Sequence, residues 1–214
     1  MPSTRQIVAR AKADKQRIVL PEAEEERTLK AADKVLADDI ADIILIGNPA
    51  NIKNLAAQWG LNNIDKATIK ETIMPIVMAC MSMSKKYVGA LLVIERGVPL
   101  KDIMDTGEEI DAKINQRLIE NIFFKNSPLH DGAMVISNKR IMSAGCILPV
   151  SHNLDIPKEL GLRHRAALGI SQSSDAIAVI VSEETGRISV AIKGEFRLRL
   201  SAEELESILT QEMM

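Results

Sequence analysis

A short segment in the middle of the chain carries residue types that metal and phosphate chemistry uses. It runs Asn-Ser-Pro-Leu-His-Asp-Gly-Ala over residues 126–133, so Asp131 stands between His130 and Gly132 and directly before an apolar stretch. Carboxylates are preferred ligands of divalent cations, and the ligands of open α/β sheets tend to bind at strand ends. An Asp-Gly pair is also a common turn, so this segment by itself leaves a metal site and a plain turn both open.

A basic segment follows about thirty residues later. It runs Gly-Leu-Arg-His-Arg over residues 161–165 and opens a predicted helix. Cationic side chains near a helix start are unfavourable with the helix dipole, so Arg163 and Arg165 need either solvent or a bound anion. Each guanidinium can hold two phosphate oxygens, and helix N-termini attract phosphate. Simple solvation and a polyphosphate site both fit these residues.

A third polar segment, Ser182–Gly186, lies between two predicted strands. It is either a solvated acidic turn or a second contribution to the site, with Glu183 adding a carboxylate for a metal ion and Ser182 contacting phosphate. The sequence contains no Walker-type loop and no G-x-G-x-x-G motif, which argues against ordinary P-loop and dinucleotide chemistry.

Composition restricts the class of protein. The chain has 214 residues, of which 46% are hydrophobic and 2% aromatic, with a net charge of −2. These numbers suit one large aliphatic domain, or one domain plus a small appendage, and they argue against a nucleic-acid partner, which needs a clustered basic excess. Cys80 and Cys146 lie in apolar stretches and are expected to be reduced, buried thiols. No stretch is apolar enough to span a bilayer and no signal peptide is evident, so we expect a cytoplasmic protein.

The first part of the chain, residues 1–69, has the pattern β-α-β-α. Short apolar runs predict buried strands at residues 17–20 and 43–46, and helix formers predict helices at 22–37 and 50–59. Residues 61–70 are polar and are expected to form a linker. The two strands should pair in parallel, although two strands are few for a stable sheet.

The second part, residues 70–214, has more elements. It is predicted to form an α/β domain with a mixed central β-sheet flanked by helices. The predicted strands are at 89–95, 134–137, 140–148, 176–182 and 187–193, and the predicted helices at 73–86, 111–124, 162 onward and 201–211. The two strands at 134–148 form a hairpin, and Ser201 with Glu204 forms a capping box for the last helix.

The ordered motifs of residues 71–214 resemble the diadenylate cyclase domain. The segments that carry the resemblance are Gly89–Glu95, Asp105–Gly107, Asn126–Ala133, Arg163–Arg165 and Ser182–Gly186. Members of this family join two ATP molecules into cyclic di-AMP and release two pyrophosphates, using Mn²⁺, Mg²⁺ or Co²⁺. The resemblance implies the same reaction here and a mixed sheet wrapped by helices.

The resemblance also implies roles for single residues. Asp131 would bind the metal and help to activate the ribose 3′-hydroxyl, while Gly132 and Ala133 would approach the nucleotide through their backbone. Three residues would hold the triphosphate: Arg163, His164 and Arg165.

Further roles follow from the same comparison. Ser182 and Glu183 would complete the phosphate and metal contacts, and His130 would contact metal or phosphate. Leu91 and Leu148 would line the adenine. Many members of the family have Thr where this chain has Leu162, so one hydroxyl contact to phosphate is missing.

The family reaction implies a homodimer. Each 3′-oxygen must attack the α-phosphorus of the other ATP, and one site holds one ATP, so two sites must face each other head to head. An alternative is a catalytically inactive module that binds ATP or cyclic di-AMP, in which Leu162 or the dimer geometry blocks turnover.

Residues 5–69 resemble a different family, the opening of phosphate acetyltransferase. Three segments carry this resemblance: 17–22, 26–32 and 43–48. The substrate-binding core of that enzyme lies downstream of the matching part, so we expect no acetyl transfer. An acyltransferase-related activity of residues 1–70 is the third alternative.

Overall fold

The computed structural model describes residues 4–70, 72–150 and 160–213. The chain divides into two compact units, Met1–Met74 and Pro75–Met214. Each unit has its own sheet, and no described strand of one unit pairs with a strand of the other.

The first unit is built on a small parallel sheet. Its elements are helix α1 (Thr4–Ala13), strand β1 (Arg17–Leu20), helix α2 (Glu26–Ala37), strand β2 (Asp42–Ile46), helix α3 (Pro49–Gln58), a 3₁₀ turn (Ile64–Lys66) and strand β3 (Thr68–Lys70). The strand order is β1-β2-β3, with both pairs parallel. Buried residues of α2, β2 and α3, such as Leu29, Leu45 and Ile52, form its core.

The prediction of a linker at residues 61–70 is wrong, because the end of this segment forms the third strand of the sheet. Strand β3 pairs with β2, and Ala67 and Ile69 pack against the core. The strand has only three residues and one large apolar side chain, so its sequence has no periodic pattern to reveal it. Helix α2 also begins at Glu26 rather than at residue 22, since the preceding residues include Pro21 and form turns.

The second unit is built from twelve described elements, of which the first helix begins two residues before the unit, at Ile73. They are α4 (Ile73–Lys85), β4 (Ala90–Ile94), α5 (Lys101–Met104), β5 (Glu108–Lys113), α6 (Gln116–Ile122), β6 (Ala133–Ser137), β7 (Arg140–Cys146), α7 (Leu162–Ser173), β8 (Ile177–Val181), β9 (Ile188–Ile192), β10 (Glu195–Arg197) and α8 (Ala202–Met213).

These strands form one seven-stranded mixed sheet in the order β10-β9-β8-β4-β6-β7-β5. Strands β4 and β6 are parallel and the other neighbours are antiparallel. Strands β4, β6, β8 and β9 are buried on both faces. Ala167 and Ile170 of α7 pack against one face of the sheet. The predicted fold class, a mixed central sheet flanked by helices, is confirmed.

The helix predicted at 111–124 is only partly correct. Its first residues belong to β5, an edge strand paired with β7, and Asp111 bonds through Oδ1 to Nε of Arg140 at 2.6 Å. The helix begins after Asn115, whose side chain accepts hydrogen bonds from the amides of Arg117 and Leu118. Three isoleucines and Leu118, spaced four residues apart, suggested one helix, but pairing with β7 and this cap divide the segment.

The predicted capping box at the start of α8 is present. The amide of Ser201 donates to Glu204 Oε2 at 2.8 Å, and the amide of Glu204 donates to Ser201 Oγ at 3.2 Å. Two orphan donors of the first turn are thereby satisfied. Within the described residues, no helix is both long and apolar enough to cross a bilayer.

Candidate functional site

One cleft in the second unit brings the three polar segments of the sequence together. Its volume is about 710 Å³. It is lined by His130, Asp131, Gly132, Gly161, Leu162, Arg163, His164, Ile180, Val181, Ser182, Glu183 and Glu184. The topology explains the meeting: β6 and β8 are both neighbours of β4, and the start of β6 lies at the same end of the sheet as the end of β8.

Asp131 stands at the amino end of β6, an interior strand, and not at the edge of the sheet. Its carboxylate is 87% exposed. Gly132 follows with a φ of +99°, and a Cβ there would lie 2.6 Å from the carbonyl oxygen of Cys146. Only glycine fits this close approach, so the turn that presents Asp131 is fixed by the backbone of β7.

His130 is oriented by its own turn. Its Nδ1 lies 2.5 Å from the carbonyl oxygen of Ser127, which favours the tautomer with the proton on Nδ1. Nε2 then carries a lone pair, 3.6 Å from Oδ1 of Asp131. A histidine held in this way is typical of metal ligands.

The start of helix α7 lies on the cleft without a side-chain cap. Gly161 is the N-cap and has no side chain to offer, and the first turn contains no acidic residue. Helix N-termini leave backbone N–H groups without intrahelical partners. This end of α7 therefore presents donors and a partial positive charge to the cleft.

Arg163 pairs with Glu183 at the cleft. Its Nη1 lies 3.1 Å from Oε1 of Glu183, and the two side chains are 23% and 62% exposed. Gly89 lies against this pair, because a Cβ on Gly89 would be 2.6 Å from Nη1 of Arg163 and 3.0 Å from Oε2 of Glu183. The role of Glu183 as a metal ligand stays a prediction, and its partner here is a guanidinium.

His164 is buried, although it lines the cleft. It is 6% exposed, and its ring contacts Phe196 edge to face with centroids 6.0 Å apart. Burial lowers the pKa of His164, so the neutral imidazole is favoured near pH 7. A neutral ring can donate one hydrogen bond to a phosphate but adds no positive charge.

The acidic segment forms a tight turn between β8 and β9. Oγ of Ser182 accepts a hydrogen bond from the amide of Thr185 at 3.2 Å, which leaves its hydroxyl proton able to donate. The carbonyl oxygen of Gly186 accepts from Oγ of Ser84 at 2.5 Å. The turn is thereby attached to the end of α4, with Ser182 and Glu183 facing the cleft.

Four predicted site residues do not line the cleft. Leu91, Ala133 and Leu148 belong to the apolar core cluster of the sheet and are at most 8% exposed. Arg165, also outside the lining, is half-buried on the first turn of α7. Their assignments as adenine wall, backbone contact and phosphate ligand stay predictions.

Sequence reasoning missed one carboxylate of the cleft, that of Glu184. It lines the cleft beside Glu183 and is exposed. The signal was present in the acidic turn, but adjacent residues cannot be ranked without knowing which one pairs with Arg163.

The cleft does not contain a complete protein cage for a metal ion. In the described part of the chain, no three side chains of His, Cys, Asp or Glu converge on one point. Mg²⁺ in nucleotide sites is held by one or two carboxylates plus phosphate oxygens and water. The exposed carboxylate of Asp131 and the lone pair of His130 fit that arrangement.

Comparison with known proteins places the second unit in a family. Residues 77–196 match the family model described as DisA bacterial checkpoint controller nucleotide-binding. The chain belongs to this family. It is 46% identical over 143 residues to the cyclic di-AMP synthase CdaA of Bacillus subtilis (strain 168), covering 67% of this chain and 52% of that protein. The chain thus spans about half the length of that relative.

A solved structure agrees with this assignment. The chain matches the crystal structure of a double mutant of DacA from Staphylococcus aureus with a TM-score of 0.65 and 46% identity, over 65% of this chain and 93% of that one. The resemblance of residues 71–214 stated from the sequence is confirmed.

The N-terminal resemblance is confirmed as well. Residues 3–88 match the model described as phosphate acetyl/butaryl transferase. The chain is also 54% identical over 63 residues to the phosphate acetyltransferase of Thermoanaerobacterium thermosaccharolyticum, covering 29% of this chain and 18% of that enzyme.

Proposed function

We propose that this chain is a diadenylate cyclase, which condenses two ATP molecules into cyclic di-AMP and releases two pyrophosphates. The observation that carries the proposal is the convergence of Asp131, the start of α7 and the Ser182–Glu184 turn on one cleft. A carboxylate, a guanidinium and free backbone donors are the groups that phosphoryl transfer uses for positioning and charge neutralisation.

The charge of the cleft supports a metal requirement. Its lining contains three carboxylates, from Asp131, Glu183 and Glu184, and one guanidinium, from Arg163. A triphosphate would be repelled by this lining unless divalent cations accompanied it. When bound, Mn²⁺, Mg²⁺ or Co²⁺ would neutralise phosphate charge and lower the pKa of the attacking hydroxyl.

Asp131 and His130 would hold that cation together with the phosphates. The carboxylate of Asp131 would also accept the proton of the ribose 3′-hydroxyl, directly or through water. In each half-reaction the bond from O3′ to the α-phosphorus forms as the bond from that phosphorus to the pyrophosphate oxygen breaks. Two such steps close the ring and release two pyrophosphates.

The start of α7 and the turn after β8 would grip the triphosphate. Arg163 would exchange its pairing with Glu183 for phosphate oxygens, and the exposed fraction of Glu183 makes that pair weak enough to open, at about 1 kcal/mol or less. The hydroxyl of Ser182, the backbone donors of α7 and one N–H of His164 would add hydrogen bonds.

The reaction requires two copies of the chain. One cleft offers one set of phosphate ligands, so the second ATP must be presented by a facing copy, and an isolated monomer would be inactive. We therefore expect specific activity to fall on dilution as the homodimer dissociates.

One observation favours the alternative of an inactive nucleotide-binding module. Leu162 lines the cleft with a side chain that is 77% exposed, at the position where the family resemblance implies a hydroxyl. An apolar group there makes no hydrogen bond to phosphate, so ATP binding without turnover is the second candidate.

Incubation with ATP and Mn²⁺ tests the proposal. We expect cyclic di-AMP and two pyrophosphates per product, no product after metal removal by EDTA, and a loss of about 100-fold or more in Asp131→Asn. Asp102→Asn, an exposed residue of α5 outside the cleft, is the matched control and should keep full turnover. Binding of ATP without product would favour the inactive module instead.

A further inference from the structure

The end of β7 is held between two glycine-containing turns, of which only one lines the cleft. A Cβ on Gly132, in the cleft, would be 2.6 Å from the carbonyl oxygen of Cys146, and a Cβ on Gly107 would be 2.7 Å from its Sγ. Gly107 is not part of the cleft lining. Cys146 therefore lies against the Asp131–Gly132 turn and against a second turn that is outside the cleft lining.

The hydroxyl of Thr106, next to Gly107, fixes this contact. Its Oγ1 accepts a hydrogen bond from the amide of Ile147 at 2.9 Å and donates to the carbonyl oxygen of Ile103 at 2.6 Å. The side chain of Ile147 is 70% exposed. The hydrogen bond from its amide to the Thr106 hydroxyl, rather than packing of its own side chain, therefore holds the residue that follows β7.

A second bond attaches the same turn to β7. Oγ of Ser143 donates to the carbonyl oxygen of Met104 at 3.0 Å, and lies 3.0 Å from Sγ of Cys146. The segment from Met104 to Gly107 is thus hydrogen-bonded to the chain on both sides of Cys146, at Ser143 and at Ile147. These bonds hold in place the backbone of Cys146, against which Gly132 lies.

We propose that Thr106 is a positioning residue for Asp131, an inference that rests on the proposed cyclase function. Without the Thr106 hydroxyl, the amide of Ile147 loses its acceptor, the end of β7 can shift, and the carboxylate of Asp131 moves with it. A displacement of about 1 Å can cost on the order of 100-fold in rate. Arg163 lies on α7 and Ser182 follows β8, so their contacts to the triphosphate remain.

The test compares Thr106→Val, which keeps the shape and removes the hydroxyl, with Thr106→Ser, which keeps the hydroxyl. Thr68→Val, an exposed threonine of the first unit, is the matched control. We expect Thr106→Val to lower kcat by about tenfold or more, to raise the Mn²⁺ concentration for half-maximal activity, and to change the KM for ATP less than kcat. Thr106→Ser should recover most of kcat.

Two results would overturn the inference. One is wild-type kcat in Thr106→Val. The other is a loss of activity that is accompanied by a lower thermal midpoint and that Thr106→Ser does not rescue, which indicates general destabilisation.

A wild-type chain that binds Mn²⁺ and ATP but forms no product would overturn the cyclase function instead. In that case Mn²⁺ affinity, measured by electron paramagnetic resonance with ATP present, decides on Thr106: weaker binding in the valine variant supports its role, and equal binding removes it.

Discussion

Arg163 and Glu183 are joined by an ion pair of 3.1 Å at the cleft, and Gly89 leaves the space in which the pair lies. Three segments far apart in sequence thus meet at one guanidinium: the loop before β4, the start of α7 and the turn after β8. The position of this positive charge depends on a residue that has no side chain.

Gly89→Ala should therefore weaken ATP binding without unfolding the protein. The added Cβ would be 2.6 Å from Nη1 of Arg163, and a flexible side-chain end can move away at little cost to stability. The displaced guanidinium would lose a charged hydrogen bond to phosphate, worth about 1.5 kcal/mol, so KM for ATP should rise about tenfold.

Gly97→Ala is the matched control for that experiment. Its Cβ would also crowd only a side-chain end, Oδ2 of Asp175 at 2.9 Å, and Gly97 is not a lining residue of the cleft. Steady-state kinetics and thermal midpoints of both variants give the comparison. An unchanged KM in Gly89→Ala would contradict the phosphate role of Arg163.

The two glutamates of the acidic turn should have different kinetic effects. Glu183→Gln removes the partner of Arg163 and should change mainly the KM for ATP. Glu184→Gln removes the cleft carboxylate that does not pair with Arg163 and should raise mainly the Mn²⁺ concentration needed for half-maximal rate. The reverse pattern would support the sequence-based assignment of Glu183 as the metal ligand.

The sequence predicted the strands around the cleft well because they are buried on both faces. Strands β4 and β8 are continuous apolar runs, and β6 and β9 contain one serine each, a pattern that is typical of strands covered on both faces. The edge strands were not predicted, for the opposite reason. β3 and β5 are short or mostly exposed, so their pairing is decided by neighbours that the local sequence does not contain.

The site was predictable in its parts but not in its pairings. Asp131, Arg163 and Ser182 stood out by residue type, and the cleft contains all three. Which glutamate pairs with Arg163, and whether Leu91 and Leu148 reach the cleft, depends on the direction of side chains at the ends of strands. Residue type carries no information on those directions.

The stability of the protein should fall as the pH drops through the usual pKa of histidine. Burial lowers the pKa of His164 from its ordinary 6.5. Below that pH the unfolded chain takes up a proton at His164, while the folded protein does so only at lower pH, so protons favour unfolding. Urea denaturation at about pH 7.5 and 5.5 should show a smaller free energy of unfolding at the lower pH. His164→Gln should reduce this difference, and an equal difference in both proteins would rule out His164 as its source.

The second unit should keep turnover without residues 1–68. All residues that line the cleft lie beyond Gly89, and the unit has its own seven-stranded sheet and core. We expect a chain that begins at residue 69 to make cyclic di-AMP with an unchanged KM for ATP. Soluble, folded protein with no activity would assign a catalytic contribution to the first unit.

Leu162→Thr should improve the binding of ATP. Leu162 is the first residue of α7, 77% exposed at the cleft, so the substitution should cost little stability. A hydroxyl there can donate to a phosphate oxygen, and one such bond is worth about 1 kcal/mol, or about fivefold in KM.

Leu162→Val has nearly the shape of threonine without the hydroxyl and is the matched control. A lower KM in the threonine variant alone would assign the gain to the hydrogen bond, whereas equal gains in both variants would assign it to the smaller side chain. If the wild-type chain proves inactive and Leu162→Thr restores product, the apolar side chain itself is what blocks turnover.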